Sequence, residues 1–448
     1  MSKKRFNILK LGDIMLKVLD SVLWAIATVM IVISGIYFTF KLKFVQFDFK
    51  EMFKNIVKKG NNTITPFESL MMVLGGRIGV GSIAGIALAI YLGGVGTIFW
   101  MWVIGFISTA NAYAETVLGV KYKENDEYHI SKGGPSYYLK NGLKKNNLGK
   151  LYAYIIVISQ VAGFLSIQAN TITKSITNYV NIPPVIIGFI IMILSFIIFN
   201  KGTKRIFKFS SKLVPIMTLI YVLASLFIVI DNIELIPNIF LNIIQEAFNF
   251  KAFGFGFITT LIIGIQRGIF SNEAGLGTGA IAASTVEVGF PSSQGFVQMI
   301  GIYITTFLVC TATAIVILTS NVTLVGENLN GIEITQDAFI YHLGNFGNFI
   351  VIISIVLFAF STILSGYYDT ESNLKFLTKV SEKKLLILKI ISCLVLFISS
   401  IMSASLIWKI VNILTSLLAI INIYAIMKLK KDVIFENKRY NKCCKRGG

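Results

Sequence analysis

Two glycine-rich strings place three charged residues inside apolar parts of this sequence. Residues 264–279 include Arg267 and Glu273, and residues 74–85 include Arg77. An ionised carboxylate far from water is costly, so we expect Glu273 to be functional or paired internally, with Arg267 or Arg77 as its partner. A permanent ion pair that only holds the backbone, without meeting a ligand, explains the string equally well.

The glycines themselves predict irregular backbone. Each glycine in a helix interior costs up to about 1 kcal/mol relative to alanine, so a cluster invites unwinding. Unwound backbone offers free N–H groups to a carboxylate and free C=O groups to a cation. Close packing of two helices through Gly81 and Gly85 explains the first string taken alone more simply. The presence of two such clusters favours unwinding, and no Gly-Lys-Ser/Thr follows that would indicate phosphate binding.

Three further polar residues lie in apolar runs. Gln168 and the pair Ser361 and Thr362 need internal partners if they lie at membrane depth. Hydroxyls beside freed carbonyls suit a hard cation such as sodium, which prefers oxygen ligands. Hydrogen bonding to the preceding helical turn is the commoner explanation for either hydroxyl alone.

The remaining candidates for chemistry indicate no catalysis. We expect Glu115, His129 and His342 to be structural or solvated, and no histidine lies within an expected span, which argues against an intramembrane serine protease. The loop 132–138, Lys-Gly-Gly-Pro-Ser-Tyr-Tyr, is expected to be a rigid turn without chemistry. The cysteines at 310, 393, 443 and 444 match no disulfide framework or zinc spacing. We therefore expect no catalytic residue.

The elements that position these residues are predicted to be membrane-spanning helices. Charged residues make up 14% of the 448 residues, against about a quarter in soluble domains. With 55% hydrophobic residues and a mean hydropathy of +0.74, so few charges cannot cover a soluble globule, which excludes a cytosolic enzyme with a basic groove. We predict an all-α polytopic membrane protein with about eleven spans, near 18–40, 66–91, 95–119, 150–179, 184–200, 211–230, 254–281, 297–319, 346–368, 385–402 and 404–427.

Positive charges predict how these spans are oriented. If the first runs from outside to inside, 30 of the 41 lysines and arginines fall in segments assigned to the cytoplasm. The outside loops 231–253 and 321–345 contain one lysine or arginine between them, Lys251. The C-terminus is therefore expected in the cytoplasm and the N-terminus outside, although five cations near the N-terminus conflict with this. The net charge of +19 then reports topology rather than a polyanionic partner.

The order of the spans suggests an inverted repeat. The glycine-rich spans stand first in two five-span blocks, 66–230 and 254–427, which begin on opposite faces of the membrane. Residues 1–65 would add one N-terminal helix and a basic cytoplasmic segment, and residues 428–448 a basic cytoplasmic tail. Because no small-residue cleavage site follows the first apolar run, we expect it to be retained in a mature protein that begins at Met1.

The sequence resembles the alanine/glycine:cation symporters, also called the sodium:alanine symporter family, which have the five-plus-five inverted-repeat fold of the leucine transporter. The matching strings occur in the family's order through nearly the whole chain. They are Gly79-Val80-Gly81-Ser82-Ile83-Ala84-Gly85, Phe99-Trp100-Met101-Trp102, Tyr113-Ala114-Glu115, Gly133-Gly134-Pro135, Gln168-Ala169-Asn170, Arg267-Gly268-Ile269-Phe270-Ser271-Asn272-Glu273-Ala274-Gly275-Leu276-Gly277 and Phe360-Ser361-Thr362.

This resemblance implies a site for an amino acid and for sodium between the two interrupted helices. The implied substrate-binding residues are Gly79, Val80, Gly81, Ser82, Gln168, Phe270, Ser271, Asn272 and, at the position of a pocket tryptophan, Gly366. The implied sodium-binding residues are Gly76, Ile78, Ser361 and Thr362, and the implied structural or coupling charges are Arg77, Arg267 and Glu273. The resemblance implies sodium as the coupling ion and no other cofactor. It implies no nucleic-acid partner and no obligatory protein partner.

The sequence departs from the family pattern at four places. Family members usually have Thr-Gly-Asn at residues 80–82, a tryptophan at Gly366, and carboxylates at Thr305 and Asn412. A glycine in place of tryptophan would leave a larger cavity, so we hypothesise a neutral amino acid bulkier than alanine.

The function implied is sodium-coupled symport by alternating access, without enzymatic chemistry. An ion channel and a sensor that binds without translocating are the alternatives. The composition, rich in lysine and isoleucine, is typical of low-GC bacteria, so we expect a multi-pass protein of a bacterial plasma membrane.

Overall fold

The computed structural model describes residues 3–57, 64–126, 130–249, 255–322, 331–379, 381–402 and 404–445, which are almost entirely helical. His129 lies outside the described residues. The helices are α1 (Lys3–Lys41), α2 (Phe49–Ile56), α3 (Pro66–Arg77), α4 (Val80–Gly93), α5 (Thr97–Lys121), α6 (Pro135–Asn141), α7 (Asn146–Ile158), α8 (Leu165–Thr177), α9 (Pro184–Phe199), α10 (Thr203–Asp231), α11 (Ile236–Ala247), α12 (Phe255–Asn272), α13 (Thr278–Ala283), α14 (Pro291–Ile302), α15 (Thr311–Thr319), α16 (Gly331–Leu377), α17 (Glu382–Ile401), α18 (Ala404–Lys428) and α19 (Lys430–Tyr440).

Nine helical segments within these ranges are long and apolar enough to cross a membrane. They confirm a polytopic helical membrane protein. Two further apolar helices fall where spans are predicted, the 16-residue α9 and the interrupted pair α12 and α13. The total of eleven spans and the inverted repeat stay predictions.

The first glycine-rich string is interrupted at the predicted place. Helix α3 begins with a capping box, in which Thr65 Oγ1 accepts the N–H of Glu68 and the Glu68 carboxylate accepts the N–H of Thr65. It ends at Arg77, and α4 begins at Val80. The two residues between them leave helical geometry, since Ile78 has ψ 74° and Gly79 is extended. The last carbonyls of α3 are therefore free to bind other groups.

The second string is interrupted between α12 and α13. Glu273, Gly275 and Gly277 have φ values of 52°, 91° and 88°. This left-handed backbone suits glycine because it lacks a Cβ atom, which explains why two of the three positions are glycines. Glu273 adopts the same conformation despite its side chain.

Two connecting segments are wider than α-helices. Residues Ser159–Phe164 join α7 to α8, and Tyr303–Cys310 join α14 to α15, and both are π-helical. Such segments occur frequently at functional sites. Here each passes close to the interrupted helices, because Phe164 stacks on Phe270 and Cys310 contacts Ser271.

The outer elements pack around this core. The N-terminal α1 packs against α5, α12 and α18. Helix α16 is interrupted at Gly344, where φ is 59°. Between α5 and α7, a two-stranded antiparallel hairpin pairs strand β1 (Glu124–Asn125) with β2 (Ser131–Lys132) and leads into α6.

Candidate functional site

The two interrupted helices meet at their breaks. Ser82 Oγ, in the first turn of α4, lies 3.1 Å from Ser271 Oγ, near the end of α12. A Cβ atom at Gly81 would lie 3.1 Å from the Phe270 ring, so glycine permits this approach. Both serines are fully buried. The structure thus brings together polar groups that are 189 positions apart in the sequence.

Gln168 on α8 closes one side of this site. Its Oε1 accepts the N–H of Val80 at 3.4 Å, and a Cβ atom at Gly79 would lie 3.3 Å from its Nε2. The backbone N–H groups in the first turn of a helix carry partial positive charge and attract anions. Gln168 therefore lies beside the part of α4 that can bind a carboxylate.

A cluster of oxygens lies on the other side of the first break. Ser361 Oγ and Thr362 Oγ1 on α16 lie 3.0 and 2.9 Å from the carbonyl oxygen of Gly75, and Thr362 Oγ1 lies 3.4 Å from that of Gly76. Both hydroxyls also lie within 3.0 Å of the Phe358 carbonyl. Two hydroxyls and three carbonyls are the type of oxygen donors that a hard cation prefers.

Ile78 lies in the break, next to this cluster. Its N–H donates to the Leu74 carbonyl at 2.7 Å. That its own carbonyl binds the cation stays a prediction.

Aromatic rings cover the site near Ser271. Phe270 stacks on Phe164 with ring centroids 5.7 Å apart, and its centroid lies 5.3 Å from that of Trp408 on α18. The guanidinium of Arg267 lies over the Trp408 ring at 5.7 Å. Phe164 and Trp408 were not identified by the sequence analysis, because a single aromatic residue in an apolar span carries no distinguishing pattern.

Glu115 on α5 holds the second break in place. Its Oε2 accepts the N–H groups of Gly275 and Gly277 at 3.1 and 3.2 Å and the side-chain N–H of Asn422 at 2.9 Å. The side chain is fully buried. This position agrees with the prediction that Glu115 is structural. The alternative prediction, that Glu115 is solvated, is wrong.

Glu273 forms no ion pair with Arg77 or Arg267, contrary to the sequence-based expectation. Its left-handed backbone directs the carboxylate towards α13, where Oε2 accepts the hydroxyl of Thr278 at 2.7 Å. Arg77 interacts electrostatically with Glu115 and Glu273, without direct contact.

Arg77 lies in a slot between two glycines. Its Nη1 donates to the Gln298 carbonyl at 3.0 Å. Cβ atoms at Gly279 and Gly301 would lie 2.8 and 2.7 Å from its terminal nitrogens. The guanidinium thus joins the end of α3 to α13 and α14, and only glycine leaves room for it.

The charge that acts on Arg267 comes from the N-terminal helix. Asp20 on α1 interacts electrostatically with Arg267 and is hydrogen-bonded to Asn412. One carboxylate oxygen of Asp20 is buried without a hydrogen-bond partner among the described residues. Helix α1 therefore supplies a carboxylate to both Asn412 and Arg267.

Asn272 supports the backbone of the second break, and Gly366 faces Gln160 and Leu165. Asn272 donates to Ser108 Oγ at 3.2 Å and accepts the N–H of Ala274 at 2.9 Å, so its side chain supports the backbone. A Cβ atom at Gly366 would lie 2.7 Å from Gln160 Oε1 and 2.8 Å from Leu165. The larger cavity expected at Gly366 is therefore filled by these two side chains.

Three other polar residues have local partners. Thr305 donates to the Gly301 carbonyl at 2.8 Å, and His342 Nε2 lies 3.0 Å from Thr319 Oγ1. Cys310, which the sequence analysis left without a role, lies with Sγ 2.9 Å from Ser271 Oγ. It therefore belongs to the lining of the site.

These features form a candidate binding site, buried between interrupted membrane helices, with N–H groups and hydroxyls on one side and an oxygen cluster on the other. Such a site belongs to a membrane transporter rather than to an enzyme. The chain belongs to the sodium:alanine symporter family, whose model matches residues 10–448.

Several named relatives match nearly the whole chain. The amino-acid carrier protein AlsT of Bacillus subtilis is 34% identical over 429 residues, 95% of this chain and 91% of that protein. The probable sodium/glutamine symporter GlnT of the same species is 34% identical over 435 residues, 96% and 90% of the two chains. The sodium/alanine symporter AgcS of Methanococcus maripaludis is 35% identical over 422 residues, 91% and 92% of the two chains.

Proposed function

We propose that this protein is a sodium-coupled symporter of a small neutral amino acid that works by alternating access. The observation that carries the proposal is the oxygen cluster formed by Ser361, Thr362 and the freed carbonyls of α3. This cluster lies beside the first break, which is followed directly by the first turn of α4. A cation site and an anion-binding helix terminus next to each other suit the joint binding of sodium and an amino-acid zwitterion.

The proposed substrate site uses backbone and neutral side chains. The α-carboxylate would bind at the N–H groups of Gly79 to Ser82, close to Gln168. The ammonium would bind at the end of α12, where Phe270 and Ser271 lie. A partial charge of about +0.5 at a helix N-terminus and −0.5 at a C-terminus favours this orientation.

We propose a small substrate because no space is open at Gly366. Gln160 and Leu165 would have to move before a larger side chain could use that space. The bulkier substrate hypothesised from the sequence requires such a movement. Among the relatives, names that mention alanine and glutamine both occur.

The proposed transport cycle follows from the two breaks. Sodium and amino acid bind together from the outside, the helices rearrange around the site, and both leave to the cytoplasm. One charge moving down 100 mV supplies about 2.3 kcal/mol, enough for roughly fiftyfold accumulation. The proposal includes eleven spans in an inverted repeat, a cytoplasmic C-terminus, an external N-terminus and a plasma-membrane location.

Uptake by reconstituted vesicles tests this function. Purified full-length protein would be offered a panel of labelled amino acids with an inward sodium gradient, an equal potassium gradient, or none. We expect saturable uptake that requires sodium. Non-saturating flux without stoichiometry would instead indicate a channel, and saturable binding without uptake would indicate a sensor.

A further inference from the structure

Asp369 is a buried carboxyl group that neither the sequence analysis nor the proposed site uses. It lies on α16, seven residues after Thr362, and its side chain is 3% exposed. Seven residues are about two helical turns, or roughly 10 Å, and bring Asp369 back to the same face of the helix. It therefore lies about two helical turns from the proposed sodium site, towards the C-terminal end of α16.

Its hydrogen bonding is incomplete. Oδ2 accepts the Nε2 amide of Gln160 at 3.2 Å, whereas Oδ1 is buried without a partner among the described residues. The ion pairs of the described residues include none with Asp369, although Glu371 two residues later is paired with Lys375 at 3.0 Å. An isolated ionised carboxylate away from water is very costly, so such a group binds a proton or another cation.

No cation forms an ion pair with Asp369 among the described residues, and the buried ammonium of Lys132 lies instead over the ring of the neighbouring Tyr368, at 4.7 Å. Glu273, at the second break, acts on Asp369 electrostatically and has the same sign. Tyr152 on α7 and Tyr368 on α16 itself also interact electrostatically with Asp369, and Gln160 is neutral. A negative neighbour increases the cost of a second negative charge, so the environment favours a neutral Asp369.

Gly366 makes this pair possible. A side chain there would collide with Gln160 Oε1, which a Cβ atom would approach to 2.7 Å. Gly366 thus provides the space in which Gln160 reaches Asp369. A neutral amide that donates to one carboxyl oxygen leaves the other oxygen free to bind a proton.

We propose that Asp369 Oδ1 binds a proton during the transport cycle. Gln160 positions this carboxyl group, which lies about two helical turns along α16 from the proposed sodium site. A proton fits better than a second sodium ion, because the site offers one free carboxyl oxygen rather than several oxygen ligands. This inference rests on the proposed function for its role in transport, but not for the protonation itself.

Infrared difference spectroscopy of the purified full-length protein tests the protonation. The C=O stretch of a carboxylic acid is distinct from the bands of a carboxylate, and D369N is nearly isosteric. The wild-type minus D369N spectrum should contain a carboxylic-acid band at neutral pH. The matched control is E371Q, whose difference spectrum should lack that band because Glu371 is paired with Lys375. If removing Asp369 removes no such band, the proposal is wrong.

Transport assays test the coupling role. In vesicles containing a pH-sensitive dye, wild-type protein should move protons during sodium-driven uptake. D369N should still take up substrate, with a rate that changes by less than about twofold between pH 5.5 and 8.5 and without proton movement. An unchanged pH profile and unchanged proton movement in D369N would overturn the role, and reduced ²²Na binding without an infrared band would make Asp369 a sodium site instead. If wild-type protein takes up no amino acid, the proposed function fails while the infrared result still decides the protonation.

Discussion

Glu115 Oε2 accepts the backbone N–H of Gly275 at 3.1 Å, so a carboxyl group on α5 supports the unwound part of the neighbouring interrupted helix. Gly277 and Asn422 donate to the same oxygen. Unwinding a helix inside a membrane leaves N–H groups without partners, and each would cost several kcal/mol if unsatisfied. Glu115 supplies the partners that allow the break to exist.

The first prediction concerns this support. Glu115→Ala leaves two buried N–H groups without acceptors, at a cost of about 1–3 kcal/mol each, whereas Glu115→Gln keeps one acceptor oxygen. We expect E115A to lower the apparent unfolding temperature in detergent strongly and E115Q to lower it less. The control is E382Q, which changes an exposed carboxylate at the start of α17. Equal stability of E115A and E382Q would contradict the role assigned to Glu115.

The second prediction concerns the oxygen cluster. Thr362→Ala and Ser361→Ala each remove one proposed sodium ligand. We expect either variant to raise the sodium concentration for half-maximal uptake by about tenfold or more, corresponding to about 1.4 kcal/mol. Thr362→Ser keeps the hydroxyl and should stay within about twofold of wild type. Sodium-dependence curves measured in vesicles check this. If the curves of T362A and S361A are identical to that of wild type, there is no sodium site at these residues.

The breaks themselves could be predicted from the sequence, because clustered glycines act locally on the backbone. Their partners could not be predicted in the same way. Glu115 lies 160 positions before Gly275, and nothing in its own span shows that it faces an unwound segment. Contacts of this kind depend on how helices pack, which residue type and spacing do not reveal in a single sequence.

The same limit explains two differences at the site. The expected cavity at Gly366 rested on the size of one residue, whereas the space also depends on Gln160 from another helix. The expected partner of Glu273 rested on charge alone. The left-handed backbone at Glu273, which directs its carboxylate towards Thr278, could not be anticipated because non-glycine residues rarely adopt it.

The third prediction concerns the slot around Arg77. Gly301→Ala places a Cβ atom 2.7 Å from a guanidinium nitrogen, closer than such atoms can approach. We expect the arginine to shift and the protein to lose about 1–3 kcal/mol of stability, together with transport activity. Gly85→Ala is the matched control, because a Cβ atom there meets no heavy atom within 4 Å. G85A should be neutral or slightly stabilising, and an equal loss in both variants would show that the slot is unimportant.

The fourth prediction concerns Lys132, in the hairpin between α5 and α7. Its side chain is 1% exposed, and Nζ has no hydrogen-bond partner among the described residues. The ammonium lies 4.7 Å from the centre of the Tyr368 ring. Burial, together with the nearby charge of Lys375, lowers the pKa of Lys132 to about 8.

This lowered pKa makes the stability of the protein depend on pH in a defined direction. Between about pH 8 and the ordinary lysine pKa near 10.4, the unfolded chain binds a proton at Lys132 that the folded chain does not bind. Stability therefore increases with pH in this window, by the linkage between proton binding and folding. Below pH 8 the folded protein carries the full cost of the buried ammonium.

Lys132→Met removes that cost while keeping a side chain of similar length. We expect K132M to raise the apparent unfolding temperature at pH 7 and to reduce the rise in stability between pH 8 and 10, because the titrating group is gone. The control is K140M, since Lys140 is partly exposed and paired with Glu124 at 2.8 Å, and it should keep the wild-type slope. Thermal unfolding followed by tryptophan fluorescence at several pH values checks both. If K132M is less stable than wild type at pH 7 and keeps the full slope, Lys132 has a partner that lowers the cost of its charge, and its burial does not determine the pH dependence.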